Sequence, residues 1–386
     1  MLLRFSASNS WSFDDNFKIE LRNNSAEGLP ASNMMGIIGN NGSGASNILK
    51  SLVSVISFVL NSHNYPDDKE LHFEKFRYSK ENAVFSIDYV IGDFEYSYFL
   101  SVSTKVDCEW LIVKNTQEDS IDDKIIIRNG LEIRKNTIYE GHKDIVLREN
   151  ESLLSTLKRH RIKEIEDAYS FFENITTNLA FRGFNNMKPY ATQFEIDSEY
   201  CKKAYKDFGD FQKLELFKFD THNSCFSSRD CFCSSGEISY CATATHGCGY
   251  KEYYIAPLGK ESKGVQKLYS IFYHFFKVLK SGGVAIIDDM DQDLHPMHLK
   301  RLLEYFYYAY YNKTGRAQII FTTKNPLVFD LLNRNQITIV NHNYGHSYCY
   351  RLDSLKDIEM TSGEKLSQIY LEGKLGGVPR NPYRDR

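Results

Sequence analysis

The chain has 386 residues, and 47 Lys+Arg against 50 Asp+Glu leave a formal net charge of −3. With 42% hydrophobic and 14% aromatic residues it can fill a packed core, which excludes a disordered chain; the balanced charge excludes a protein that coats polyanions over its whole surface. Eight cysteines are too few for a disulfide scaffold. The first ten residues lack a secretory layout. The longest apolar stretch, Ser51 to Leu60, reads as too short for a bilayer, which needs about 20 residues. A cytoplasmic protein without membrane contact is therefore expected.

In chain order, Leu2 to Ser6 and Phe17 to Leu21 alternate apolar and polar residues and predict short strands. Met34 to Ile38 is a buried strand that runs into a glycine loop, and Asn47 to Leu60 spaces its apolar residues as a helix does. Ala83 to Ile91, Phe94 to Val102 and Glu109 to Lys114 predict an antiparallel meander, with Gly92-Asp93 as its first turn. Residues 117–143 are polar, apart from a strand-like run at Lys124 to Ile127 and a turn at Asn129-Gly130. Leu153 to Ile175 has helical spacing among many charges and predicts a surface-exposed helix. Weak boundaries near 115 and 215 divide the chain into an N-terminal lobe (1–115), an inserted helical arm (116–215) and a C-terminal lobe (216–386). In the last lobe, strand-like runs at Ile238 to Thr245 and Glu252 to Ile255 precede a helix at Lys267 to Leu279. A strand at Val284 to Ile287, a helix at Leu299 to Tyr311 and a strand at Gln318 to Thr322 follow, alternating as parallel α/β units do.

Gly39, Asn40, Asn41, Gly42, Ser43, Gly44, Ala45 and Ser46, followed by Asn47, fit the phosphate-loop pattern G-x-x-x-x-G-K-[ST] except at the lysine. Glycines let the backbone wrap phosphates closely, with amides directed inward at a helix N-terminus. Ser46 is placed to offer its hydroxyl to Mg²⁺. Ala45 stands where a lysine would reach the β- and γ-phosphates, and a methyl group cannot neutralise them. ATP affinity, and hydrolysis above all, should suffer. Two explanations stay open, an engineered Lys-to-Ala change or a natural loss, and the intact surroundings favour the first.

A second motif lies far downstream. Val284 to Ile287 is an apolar strand that ends in Asp288 and Asp289. Asp288 is the candidate for the Mg²⁺ water shell. Asp289 stands where a glutamate normally polarises the attacking water, one methylene shorter. Between the two motifs, Ser262 and Gly264 open a helix and offer a second phosphate cradle, of the kind one subunit presents to its partner's nucleotide.

These pieces, in this order, resemble the ABC-like ATPases of the SMC/RecF type within the wider P-loop AAA group. The nearest look-alikes are stand-alone ATPases of bacterial anti-phage and abortive-infection operons, RloA-like and PARIS-type. The opening strand Met1 to Ser6 through Ser12-Phe13, the Glu109-Trp110-Leu111 turn, the loop Asp291 to Pro296, the switch strand Phe321 to Pro326 and the segment Tyr370 to Pro379 all carry the likeness. It implies an α/β ATPase head with a mixed sheet, a β meander and an inserted helical arm. It also implies ATP and Mg²⁺ as ligands, and a homodimer or higher homo-oligomer closed by a nucleotide sandwich. A separate nuclease or toxin effector is the implied partner. The chain departs from the pattern at Ala45, at Asp289, and at Lys324, which replaces a histidine that senses γ-phosphate; Lys324 could bring a positive charge to the phosphate from the other side. No glutamine occurs between 60 and 115 to serve as the family's Q-loop. The competing expectations are a DNA-repair ATPase that binds nucleic acid directly and a pseudo-ATPase scaffold.

Other clusters have blander readings. Cys225, Cys231, Cys233, Cys241 and Cys248, with His246, lack paired C-x₂-C spacing and read as free cysteines before a zinc site. His295 and His298 read as part of a dimer-contact loop. Lys158, Arg159, His160, Arg161 and Lys163 read as a solvated face, or else as a nucleic-acid contact at the tip of the arm. Tyr305 to Tyr308, Tyr310 and Tyr311 read as core or interface.

Overall fold

The structure, a computed structural model, describes residues 1–23, 28–117, 124–139, 145–179, 211–220, 233–235, 238–247, 253–355 and 364–379. Strands β1 (Leu2–Ser8), β2 (Phe17–Glu20) and β3 (Met34–Gly39) lead into helix α1 (Ala45–Asn61). The meander follows as β4 (Ala83–Ile91), β5 (Phe94–Val102), β6 (Val106–Asn115), β7 (Lys124–Asn129) and β8 (Glu132–Asn136). Helices α2 (Leu153–Arg159) and α3 (Glu166–Glu173) come next, then β9 (Ile175–Thr177), β10 (Phe211–Asp220), β11 (Cys233–Ser235), β12 (Ile238–Gly247) and β13 (Tyr253–Pro257). The remainder is α4 (Lys263–Ser281), β14 (Val284–Ile287), α5 (Met297–Tyr307), β15 (Gln318–Thr323), α6 (Val328–Leu331), β16 (Ile337–Asn343), β17 (His346–Arg351) and α7 (Leu366–Leu371).

Three sheets result. The central one has the order β17-β16-β3-β15-β14-β9, parallel except for β17. An antiparallel sheet of order β2-β1-β4-β5-β6-β7-β8 holds the meander, and a third pairs β10, β11 and β13 with β12. The chain is thus a mixed α/β protein.

Both faces of the central sheet are covered, as a parallel sheet requires. Side chains alternate along its strands. Met35, Ile37, Val284, Ile286 and Ile320 share one core with α1 and the meander residues Phe85, Ile87 and Leu100. Met34, Ile38, Ala285, Ile287, Ile319 and Phe321 share the other with Phe272 and Phe275 of α4, Leu302 and Phe306 of α5, and Phe329. Gly36 belongs to this second face, because an added Cβ would lie 3.0 Å from Val328 Cγ2.

Four expectations change. Leu153 to Ile175 is not one exposed helix: it breaks into α2 and α3, which bury Leu153, Leu154, Leu157, Ala168 and Phe172 against α1 and the meander. Segment 116–215, read as a helical arm, supplies strands β7 and β8 to the meander sheet and β9 to the central sheet. The basic cluster is at the end of α2 instead of an arm's tip. There Arg159 pairs with the buried Glu151 at 3.1 Å, and Lys158 Nζ lies 5.2 Å from the centre of the Tyr169 ring. Finally, the apolar stretch is longer than it reads, because Ser51, Ser54 and Ser57 are buried within α1. The helical span Ala45–Asn64 has 20 residues and is apolar enough to cross a membrane, but 67% of its window is buried in the protein, as befits a core helix. Cys225, Cys231 and Cys248 lie outside the described residues. Of the tyrosine-rich run, Tyr305 and Phe306 are core, whereas Tyr307, Tyr308 and Tyr310 are exposed.

A buried polar network ties the meander to α2. Glu109 accepts hydrogen bonds from Tyr98 Oη (2.6 Å), Ser152 Oγ (3.1 Å) and Leu153 N (2.8 Å), and Arg128 Nη1 approaches it to 3.5 Å. Arg128 also donates to the carbonyls of Gly130, Arg148 and Glu151. Both charges are fully buried, and this is the pairing that such burial demands.

Candidate phosphate-binding site

The site begins where β3 leaves the central sheet. At Gly39 an added Cβ would lie 2.6 Å from Val340 O and 2.4 Å from Ser43 Oγ, so only glycine fits there. The chain then turns, with Ser43 N donating to Asn40 O at 2.9 Å. Gly44 has φ +103 and directly precedes α1; an added Cβ would meet Ser347 Oγ at 2.5 Å and Ser12 Oγ at 2.7 Å. Helix α1 has neither a side-chain cap nor an acidic residue in its first turn, so the helix itself supplies nothing against the positive end of its dipole. Ser43 Oγ is buried with no hydrogen-bond partner. An uncapped helix start and an orphaned hydroxyl suit an anion.

Beside the loop is a cleft of about 210 Å³ lined by Gly39, Asn40, Asn41, Gly42, Gly44, Ala45, Ser46 and Asn47, with Asp289, Thr322, Thr323 and Lys324 across from them in sequence. The central sheet creates this meeting, because β3 lies beside β15 and β15 beside β14. Asp288, just past β14, accepts from Ser46 Oγ at 2.9 Å and from Thr322 Oγ1 at 2.6 Å. Its backbone is held on both sides by Asn178, with Nδ2 donating to Asp288 O (2.9 Å) and Oδ1 accepting from Asp288 N (2.8 Å). Asp289 N donates to Thr322 Oγ1 at 2.7 Å, and Asp289 has φ +46, a left-handed conformation unusual outside glycine. Lys324 Nζ lies 3.6 Å from Asp289 Oδ1.

The hydroxyl of Ser46 and the carboxylate of Asp288 are hard oxygen donors in contact, the set that suits Mg²⁺. When bound, such an ion would neutralise phosphate oxygens. Ser262 and Gly264 do not line the cleft. Ser262 caps α4 by accepting from Val265 N at 3.4 Å, and Gly264 faces the 291–294 loop, where an added Cβ would lie 2.9 Å from Asp293 O. His295 and His298 belong to the same region, their ring centres 6.2 Å apart.

Five contributors carried no assigned role at the cleft in the sequence reading. Asn178 clamps Asp288 from a position that carries no local motif. Thr322 was noted only as part of the switch strand. Half-buried Lys267 on α4 faces Asp289, Asp288, Asp293 and Asp291; burial lowers its pKa while those carboxylates raise it. The carboxyl of Asp291 is pushed up by burial, against the pull of its Thr323 hydrogen bond. Lastly, the 370–379 segment supports the loop from behind. Tyr370 Oη donates to Gly377 O (2.8 Å), Gly377 N donates to Asn341 Oδ1 (2.7 Å), and a Cβ on Gly377 would lie 3.7 Å from Gly39 Cα.

A strand, a glycine loop uncapped at its helix and an acidic strand joined through Ser46 together define a P-loop ATPase domain. The family described as "AAA domain, putative AbiEii toxin, Type IV TA system" matches residues 34–330, and the chain belongs to it. Among solved structures, the chain is similar to the SMC head in the crystal structure of that head bound to the C-winged helix domain of ScpA. The TM-score is 0.43 at 13% identity, with 92% of this chain and 99% of that chain covered. No curated protein sequence matches.

Proposed function

We propose that the chain is the ATP-binding switch subunit of a bacterial anti-phage defence system, working in the cytoplasm with a separate nuclease or toxin effector. The observation that carries the nucleotide reading is the 2.9 Å contact between Ser46 of the loop and Asp288 of the acidic strand, which brings the two motifs to one point. The family's description as a toxin of a type IV TA system supports the defence setting. ATP would lie along the loop with its terminal phosphate toward Asp289 and Lys324. Ser262 and Gly264, outside the cleft of their own subunit, are free to close over a partner's nucleotide in a homodimer or higher homo-oligomer. Ala45 and the short Asp289 make hydrolysis slow, which suits a subunit whose bound state carries the signal.

Calorimetric titration with ATP, with and without magnesium, tests the nucleotide reading. Magnesium should strengthen binding, and Ser46→Ala and Asp288→Asn should each remove roughly tenfold or more of that gain. Binding of ATP that ignores magnesium and both substitutions would refute the reading.

A further inference from the structure

We propose that Asp289 and Lys324 form a latch over the cleft, opened by a terminal phosphate that takes Lys324 as the cation the loop lacks and releases Asp289 toward water. The inference rests on the cleft being a nucleotide site. Among the described residues that line the cleft Lys324 is the one cationic side chain, and the loop position that would supply another holds the methyl group of Ala45.

The pair is built to open. Its Nζ–Oδ1 distance is 3.6 Å, and the side chains are 62% and 37% exposed. Ion pairs so exposed contribute little. A phosphate with several negative oxygens therefore outcompetes one carboxylate for the ammonium group. The partners also differ in freedom. Asp289 is fixed by its bond to Thr322 Oγ1, and Met290 N donates to Thr322 O at 3.0 Å. Lys324 follows the last residue of β15 on a flexible four-carbon stem, so the lysine is the partner that moves.

Opening does not leave the carboxylates without a counter-charge. Lys267 remains near Asp288, Asp289, Asp291 and Asp293 from α4. In hydrolysis, Asp289 would take a proton from water as the water oxygen bonds the terminal phosphorus and the bond to the bridging oxygen breaks, leaving a diphosphate. A nucleoside diphosphate has no phosphate at this end of the cleft. The latch therefore reports the third phosphate.

The test combines ATP and ADP titrations in magnesium with ¹³C NMR of the reductively methylated protein, the Lys324 signal being assigned by its loss in Lys324→Arg. In the free protein, Asp289→Asn should move the Lys324 signal; ATP should also move it and ADP should not. Lys324→Ala should weaken ATP about tenfold or more and ADP less than about twofold, and adding Ala45→Lys to that variant should restore ATP binding. Parallel losses for ATP and ADP, or a Lys324 signal indifferent to Asp289→Asn, overturn the latch and leave the nucleotide site standing. An unsubstituted chain that binds neither nucleotide overturns the site itself, and the latch with it.

Discussion

His274 on α4 is 2% exposed, and its Nδ1 lies 2.6 Å from Thr176 Oγ1. Burial, reinforced by the charges of Lys277 and Lys267, lowers its pKa from 6.5 to about 3. The unfolded chain takes up a proton below pH 6.5 and the folded chain does not. The stability tied to neutral His274 is therefore complete above pH 6.5 and lost as pH falls toward 3, at about 1.4 kcal/mol per unit. Urea unfolding at about pH 7.5 and about pH 5 should show the unsubstituted protein losing roughly 2 kcal/mol more than His274→Gln. Equal losses would rule out His274 as the source. At the same scale, the loop was legible because its glycine pattern is contiguous in sequence: Gly44 takes the left-handed φ of +103, and Gly39 leaves no room for a side chain beside the Val340 carbonyl. Asn178 was illegible because it acts on Asp288 only once β9 lies beside β14.

Among elements, the meander and α2 are joined by the Glu109–Arg128 pair rather than by apolar contact alone. Arg128→Met would leave Glu109 buried among hydrogen bonds but without its cation, and should cost about 3–5 kcal/mol. Unfolding midpoints would measure this. A cost below about 1 kcal/mol would mean that Tyr98, Ser152 and Leu153 suffice for Glu109. Strands β3, β14 and β15 were readable because burial on both faces of a parallel sheet writes continuous apolar runs such as Val284 to Ile287, and α4 from its helical spacing; β16 and β17 were not read. Helices α2 and α3 were misplaced for a physical reason. Helical spacing shows which residues share a face, but not whether the polar face meets solvent or buried partners such as Glu151. The membership of β7, β8 and β9 in two different sheets is likewise a long-range pairing that no local pattern encodes.

For the whole molecule, the separation of Ser262 and Gly264 from the cleft carries the expectation of a nucleotide-closed dimer. Light scattering should show a mass increase when ATP and magnesium are added, and Ser262→Arg should abolish it by filling the approach to α4. A mass unchanged by nucleotide would leave the chain a single-subunit switch. The buttress behind the phosphate loop has a consequence for how the protein comes into being. Gly377 packs against Gly39 and is held there by Asn341 and Tyr370, yet it is synthesised long after the loop it supports. On the ribosome, strand β3, the loop and α1 emerge without β15, β14 or that buttress. A nascent chain therefore cannot assemble the finished cleft until Gly377 has left the ribosome.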